Sequence, residues 1–159
     1  MLTKKGKYAL KAMVHLADIP FGEVIGITEI AEAQNIPKKF LDAILAELKL
    51  NGFLFSKKGR GGGYCLAKPA EKIAVGDIIR AIDGPLAPIH CASKTRYQPC
   101  DDCENEASCA VRKIMLQARQ ELSKVFDSCS LAEMRDSPNL RGKGVGRLTT
   151  TKAPTQKRK

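Results

Sequence analysis

Tryptophan is absent from the 159-residue chain, and aromatic residues of every kind make up only 5% of it. The core must therefore be built mainly from Leu, Ile, Val and Ala. No apolar run approaches the roughly 20 residues that a membrane span needs, so no membrane partner is expected. The basic start MLTKKGKYAL is followed by neither an apolar stretch nor a small-residue cleavage site, which excludes the pattern of a secretory leader. These absences predict a cytoplasmic protein. Acidic residues are missing from Ser137 onward, where Arg141, Lys143, Arg147, Lys152, Lys157, Arg158 and Lys159 stand among Gly, Thr and Pro. That composition predicts a disordered basic tail over residues 137–159. Of the 27 basic residues, seven fall there, so the rest of the chain outweighs its 17 acidic residues by only three. The net charge of +10 is by itself a weak argument for nucleic acid.

Cysteine, by contrast, is concentrated. Four of the six cysteines lie in CASKTRYQPCDDCENEASC, the stretch from Cys91 to Cys109. Thiols this dense, among Pro99, Asp101, Asp102 and Glu104, read as ligands rather than core packing. In a reducing cytosol such clusters favour a metal or redox centre over structural disulfides. Cys65 and Cys129 stand apart and read as small buried hydrophobes.

Residues Thr3 to Ala17 have the pattern of an amphipathic helix, with Ala9, Ala12, Met13, Leu16 and Ala17 at helical spacing. Lys4, Lys5, Lys7 and Lys11 near its start suit a solvated face as well as a phosphate contact, and His15 reads as a packed or capping residue. Thr28 is expected to cap the short helix EIAEAQN. Pro37 fits a first helical position, opening a helix from Lys38 to Leu50. Leu41, Ile44, Leu45 and Leu48 form its core stripe, and Gly52 is its stop signal. Two helices joined this tightly predict a helix-turn-helix. Phe53 to Ser56 and Tyr64 to Ala67 then read as strands around KKGRGGG, a glycine-rich hairpin tip carrying Lys57, Lys58 and Arg60. A basic hairpin directly after a helix-turn-helix is a wing, able to reach phosphates or a narrow minor groove.

Val75 to Asp83 reads as another helix, ended by Gly84 and Pro85. Beyond Cys109, residues Ala110 to Phe126 align Val111, Ile114, Met115, Ala118, Leu122, Val125 and Phe126 along one face. So long a helix has little of its own domain to pack on and reads as a dimerisation helix; a short helix near Leu131 to Met134 comes after it. The predicted fold class is mainly α with a small β-wing. A winged helix-turn-helix domain is expected over 1–85, a cysteine-rich cluster-binding loop over 86–110 and the dimerisation helix over 111–136. The expected partners are a second copy of the chain and a pseudo-palindromic double-stranded DNA operator. Lys38, Lys39 and Asp42 would face the major groove, Thr28 would also contact DNA, and Lys57, Lys58 and Arg60 would meet the adjacent phosphates or minor groove.

Taken in order, LTKKGKYAL, ITEIAEAQNIPKKFLDAIL, LNGFLFSKKGRGGGYCLAKP and VGDIIRAIDGP resemble the Rrf-two family of winged-helix regulators, the group that includes IscR, NsrR and RirA. The resemblance covers roughly Met1 to Met134. It implies a homodimeric DNA-binding transcriptional regulator, read here as a repressor, whose affinity is set in many members by an iron–sulfur cluster. Some members carry no cluster. In cluster-binding relatives three cysteines precede the long helix, and Cys91, Cys103 and Cys109 match their positions. Cys100 is an extra thiol, and the gap from Cys91 to Cys103 is longer than in those relatives. The non-cysteine fourth ligands of two family types are replaced here by Lys7 and Arg112.

Fe–S clusters are commonly held by four thiolates, and Cys91, Cys100, Cys103 and Cys109 supply four. The cluster would be of the 2Fe-2S or 4Fe-4S type, sensing iron, redox or nitrosative state. Zinc accepts the same four ligands, and a metal-free thiol switch is a further alternative. His90 beside Cys91 reads as a loop residue that could stand in as an alternate ligand. The same pair is the one arrangement suggesting an enzyme with a reactive thiol. Adjacent residues rarely converge as nucleophile and base, and no third group orients them. The sequence predicts no enzyme.

Overall fold

The first helix, α1 (Lys4–Ala17), begins where Thr3 Oγ1 accepts the Gly6 N–H at 3.1 Å. The cap is itself held from across the fold: the Thr3 N–H and hydroxyl both donate to the Asp83 carboxylate. Asp83 lies so near Gly6 that a β-carbon there would overlap it, which is why glycine occupies that helical position. The coordinates are a computed structural model that describes residues 2–136; the tail expected to be disordered, residues 137–159, lies outside the described residues.

Helix α2 (Ile27–Gln34) starts earlier than its capping residue suggested. Thr28 is not the N-cap. Gly26 holds that place without a side-chain bond, and Thr28 lies in the first turn. The reason is a distant contact. Ile25 forms a β-bridge with Tyr64, with N–H···O bonds of 3.0 and 2.9 Å, so the backbone is extended up to Ile25 and can coil directly after it. The break between helices is a left-handed Asn35 (φ 50°) followed by buried Ile36. Helix α3 (Lys38–Leu50) takes Pro37 as its N-cap rather than its first turn, one residue off the expected place. The Pro37 carbonyl accepts the Phe40 and Leu41 N–H groups at 2.9 and 3.1 Å. Gly52 ends α3 as expected. With φ 75° it lets Phe53 N–H reach the Leu48 carbonyl and its own N–H reach Lys49, both at 3.0 Å, a Schellman stop.

Strands β1 (Leu54–Lys57) and β2 (Gly63–Leu66) pair antiparallel, with Leu54 opposite Leu66 and Lys57 opposite Gly63. Gly63 lies against the Ile25 carbonyl with no room for a β-carbon, and this close approach fastens the wing root to the strand before α2. After a 3-10 turn at Ala70–Lys72, helix α4 (Val75–Asp83) buries Ile78, Ile79 and Ile82 against α1 and α3. The core is aliphatic, as the composition requires: Met13, Leu16, Ile30, Leu41, Ile44, Leu45, Leu48, Leu54, Ile73, Ile78 and Leu131 are fully buried. Each such side chain contributes about 1.5–3 kcal/mol of burial free energy.

The expected long helix is α5 (Ala110–Asp127), which contributes no buried residue to this core. Val111, Ile114 and Val125 are 60%, 60% and 58% exposed and Leu122 41%. Its C-terminal end returns to the winged domain. Ala74 bridges Ser130, Val75 N–H donates to the Cys129 carbonyl at 2.9 Å, and Leu131 N–H donates to the Ile73 carbonyl at 2.8 Å. A last helix, α6 (Leu131–Arg135), opens with a Ser130/Glu133 capping box and packs on α1, where Arg135 donates to the Ala17 carbonyl at 2.9 Å.

Candidate metal centre and nucleic-acid interface

The predicted ligand loop has no helix or strand between Ser93 and Cys109, yet it brings Cys100, Cys103 and Asp102 together, with Cys91 and Cys109 outside that closer group. Cys91 sits buried in a 3-10 turn (His90–Ala92) and neighbours Cys100, while Cys103 neighbours Cys109. The Sγ atoms of Cys100 and Cys103 and a carboxylate oxygen of Asp102 lie within 4.8 Å of one another. Cys109 is the N-cap of α5, its sulfur accepting the Arg112 N–H at 3.4 Å.

Two side chains arrange this loop, and neither was singled out from the sequence as an organiser. Glu106 accepts from Tyr97 Oη at 2.7 Å and from the Cys100 N–H at 3.1 Å, and pairs with Arg112 at 3.5 Å. Arg112 Nε donates to the Cys91 carbonyl at 3.0 Å, and about two turns further along α5 Arg119 donates to the Ala92 carbonyl at 2.6 Å. Such links cross an irregular loop, so no periodic pattern announces them.

Electrostatics follow from the crowding. The bond to Cys91, burial and neighbouring thiols push the Cys100 thiol up to about 12. Cys103 is raised by its bond to Cys109 and by burial. Cys109 goes the other way, held below the usual thiol range by the Arg112 N–H at the helix start. The Tyr97 hydroxyl, the Cys100 N–H and Arg112 keep the Glu106 carboxyl below its ordinary value. Neighbouring thiols such as Cys100 and Cys103 do not readily ionise together unless a cation joins them. The donor set is soft, cysteine-dominated and drawn from a single chain, which suits an Fe–S cluster or zinc.

Histidine adds nothing to this group among the described residues. His90 borders a cavity of about 570 Å³ between α4 and α5, lined also by Ile79, Leu86, Ile89, Leu122 and Phe126. His15 Nε2 is enclosed without a hydrogen-bond partner. Cys65 lies on β2 and Cys129 beyond α5, each half-buried, with burial raising the Cys129 thiol.

The candidate nucleic-acid face comprises α3 and the wing. Leu41, Ile44, Leu45 and Leu48 turn inward, which leaves Lys38, Lys39 and Asp42 exposed together with Phe40, 62% exposed and not anticipated. Lys57 ends β1, and Lys58 and Arg60 are exposed in the turn, where Gly59 (φ 96°) and Gly61 (φ 74°) adopt a backbone conformation that L side chains rarely adopt. Lys5 pairs with Glu47 and fixes α1 against α3.

The family described as Rrf2, iron-dependent transcriptional regulator, matches residues 2–137. A helix-turn-helix regulator of Rhodobacter capsulatus, described as rrf2-like, is 41% identical over 142 residues, covering 87% of this chain and 95% of its own. CymR, the global cysteine regulator of B. subtilis, is similar in structure with a TM-score of 0.70 and 28% identity, over 86% of this chain and 97% of that one. IscR of T. potens matches with a TM-score of 0.66 and 27% identity, over 92% and 93% of the two chains. Among the described residues no helix is long and apolar enough to cross a membrane. With the match running from the first helix through α6, the chain belongs to the Rrf2, or Rrf-two, family of winged-helix transcriptional regulators and is not an enzyme.

Proposed function

We propose that the protein is a cytoplasmic, homodimeric repressor that binds a pseudo-palindromic DNA operator, and that an iron–sulfur cluster on Cys91, Cys100, Cys103 and Cys109 sets its affinity. The observation that carries this reading is the close grouping of Cys100, Cys103 and Asp102 in one irregular loop that neighbours Cys91 and whose last cysteine caps α5. When bound, the cluster would supply iron chemistry sensitive to iron supply, oxidant and nitric oxide. The protein's own part is mechanical. Arg112 and Arg119 tie the Cys91–Ala92 turn to α5, so a change in loop order reaches the start of that helix. In a dimer built on α5, that start fixes the spacing of the two reading heads. Lys38, Lys39 and Asp42 then enter the major groove, with Thr28 near the backbone and Lys57, Lys58 and Arg60 on neighbouring phosphates.

Anaerobic purification followed by metal analysis and visible absorption tests the cofactor. A coloured protein with iron and sulfide is expected, and a colourless protein with stoichiometric zinc would sink the assignment. A second reading, a structural zinc site on the same four cysteines or a metal-free thiol switch, is favoured by the similarity to CymR, a cysteine regulator. Operator affinity indifferent to iron supply would point there.

A further inference from the structure

We propose that Glu106 and Arg112 are the positioning pair of the thiol site, holding its cysteines in place before any metal arrives. The inference rests on the reading of the four cysteines as a metal centre. Between them the two side chains hold two of those cysteines, and the Arg112 backbone meets a third. Glu106 Oε1 takes the Cys100 N–H at 3.1 Å, Arg112 Nε reaches the Cys91 carbonyl at 3.0 Å, and the Arg112 N–H meets Cys109 Sγ at 3.4 Å. The pair closes on itself at 3.5 Å, and Tyr97 Oη occupies Glu106 Oε2 at 2.7 Å. The fourth cysteine, Cys103, lies within 4.8 Å of Cys100, whose backbone Glu106 holds.

Two carboxylates of the loop therefore have different roles. Asp102 is exposed, with an oxygen beside Cys100 and Cys103. Glu106 has both oxygens engaged and its side chain is 20% exposed, so it orders the loop instead of ligating. Without the pair, the segment from Ser93 to Ser108 would have to be ordered at the moment of metal binding, since it has no ladder or helix of its own. Supplying that order beforehand raises affinity without adding a ligand.

The test uses the full chain, metal-free and reduced, with cobalt(II) as probe and its sulfur charge-transfer absorption as readout. Maleimide labelling of the metal-free thiols runs in parallel. Glu106→Ala should weaken cobalt binding by about 10–100-fold, the usual effect of losing an outer support of a metal site, and speed labelling of Cys91 and Cys100. Glu106→Gln, which keeps an acceptor for the Cys100 N–H, should recover most of the loss. Unchanged cobalt affinity and labelling in Glu106→Ala, with helix content intact, would overturn the proposal. If Glu106→Ala loses helix content, Arg112→Lys decides, because it keeps the charge and removes the Nε bond to Cys91. Faster labelling supports the pair and an unchanged rate overturns it. A protein that takes up neither cobalt nor iron would sink the metal-centre reading, and the labelling rates would still decide the role of the pair.

Discussion

Four cysteines of one type are chemically unequal here because each meets a different neighbour. Cys109 sits at the positive end of α5 with a backbone N–H on its sulfur, which favours the thiolate. Cys100 is enclosed between two other thiols, which disfavours it and pushes the group up to about 12. For a thiol whose folded value is lowered, the ionised form is favoured from that lowered value upward, and the advantage disappears as pH falls through it. Raising the pH of the metal-free protein should therefore open Cys109 to alkylation by iodoacetamide before Cys100. Peptide mapping of the adducts near pH ~8, close to the ordinary thiol value, measures the order. Equal labelling of Cys100 and Cys109 there would refute the assignment. Glu106 obeys the carboxylate rule: its lowered value stabilises the loop above the ordinary carboxyl range, and that support is lost as pH falls through the lowered one.

Secondary-structure elements divide between those whose role is packing and those whose role is contact. Helix α6 is held down mainly by Leu131, fully buried, whereas the nearby Arg80–Asp127 pair at 2.7 Å is 32% and 45% exposed at its two side chains. Leu131→Ala should cost about 2–5 kcal/mol in urea unfolding. Asp127→Ala should cost no more than about 1 kcal/mol, because exposed ion pairs are screened. Equal losses would contradict that ranking. The wing is the opposite case. Lys58 and Arg60 are exposed and should leave stability unchanged when both become Ala, while operator binding weakens and its salt slope flattens by about one unit per lost phosphate contact. Unchanged operator binding in a gel shift would remove the wing from the interface. Legibility in the sequence splits along the same line. The α3 stripe Leu41, Ile44, Leu45 and Leu48 and the Gly52 stop are local patterns, and both were readable within a few turns of chain. The start of α2 was misread because Tyr64, far along the sequence, fixes Ile25. The loop that brings Cys100 and Cys103 together was legible as cysteine-rich, but Glu106 and Arg112 were not legible as its supports, since their partners lie on a turn and a loop without period.

At the scale of the whole molecule, α5 is anchored at both ends and presents an apolar face to solvent between them. Arg112 and Arg119 fasten its first half to the Cys91–Ala92 turn, while Arg80 and the Ala74–Ser130 bridge fasten its last turn and the residues just beyond. Val111 and Leu122, like Ile114 and Val125, are separated by about three full turns, so each pair shares one exposed face. A two-fold partner would cover that face twice over, each Ile or Val contributing about 1.5–3 kcal/mol when fully buried. It would also bring two α3 helices to one side of an operator. The combined change Ile114→Glu and Val125→Glu places charge on that face without touching the core, to which α5 contributes no buried residue. Sedimentation should find a monomer with wild-type helix content, still able to take up metal because Cys91 to Cys109 belong to one chain. Its operator affinity should fall by more than about tenfold, or more than about 1.4 kcal/mol, once two reading heads no longer bind as one. A charged variant that stays dimeric would move the interface elsewhere and break the proposed link between the cysteine loop, the start of α5 and the spacing of the reading heads.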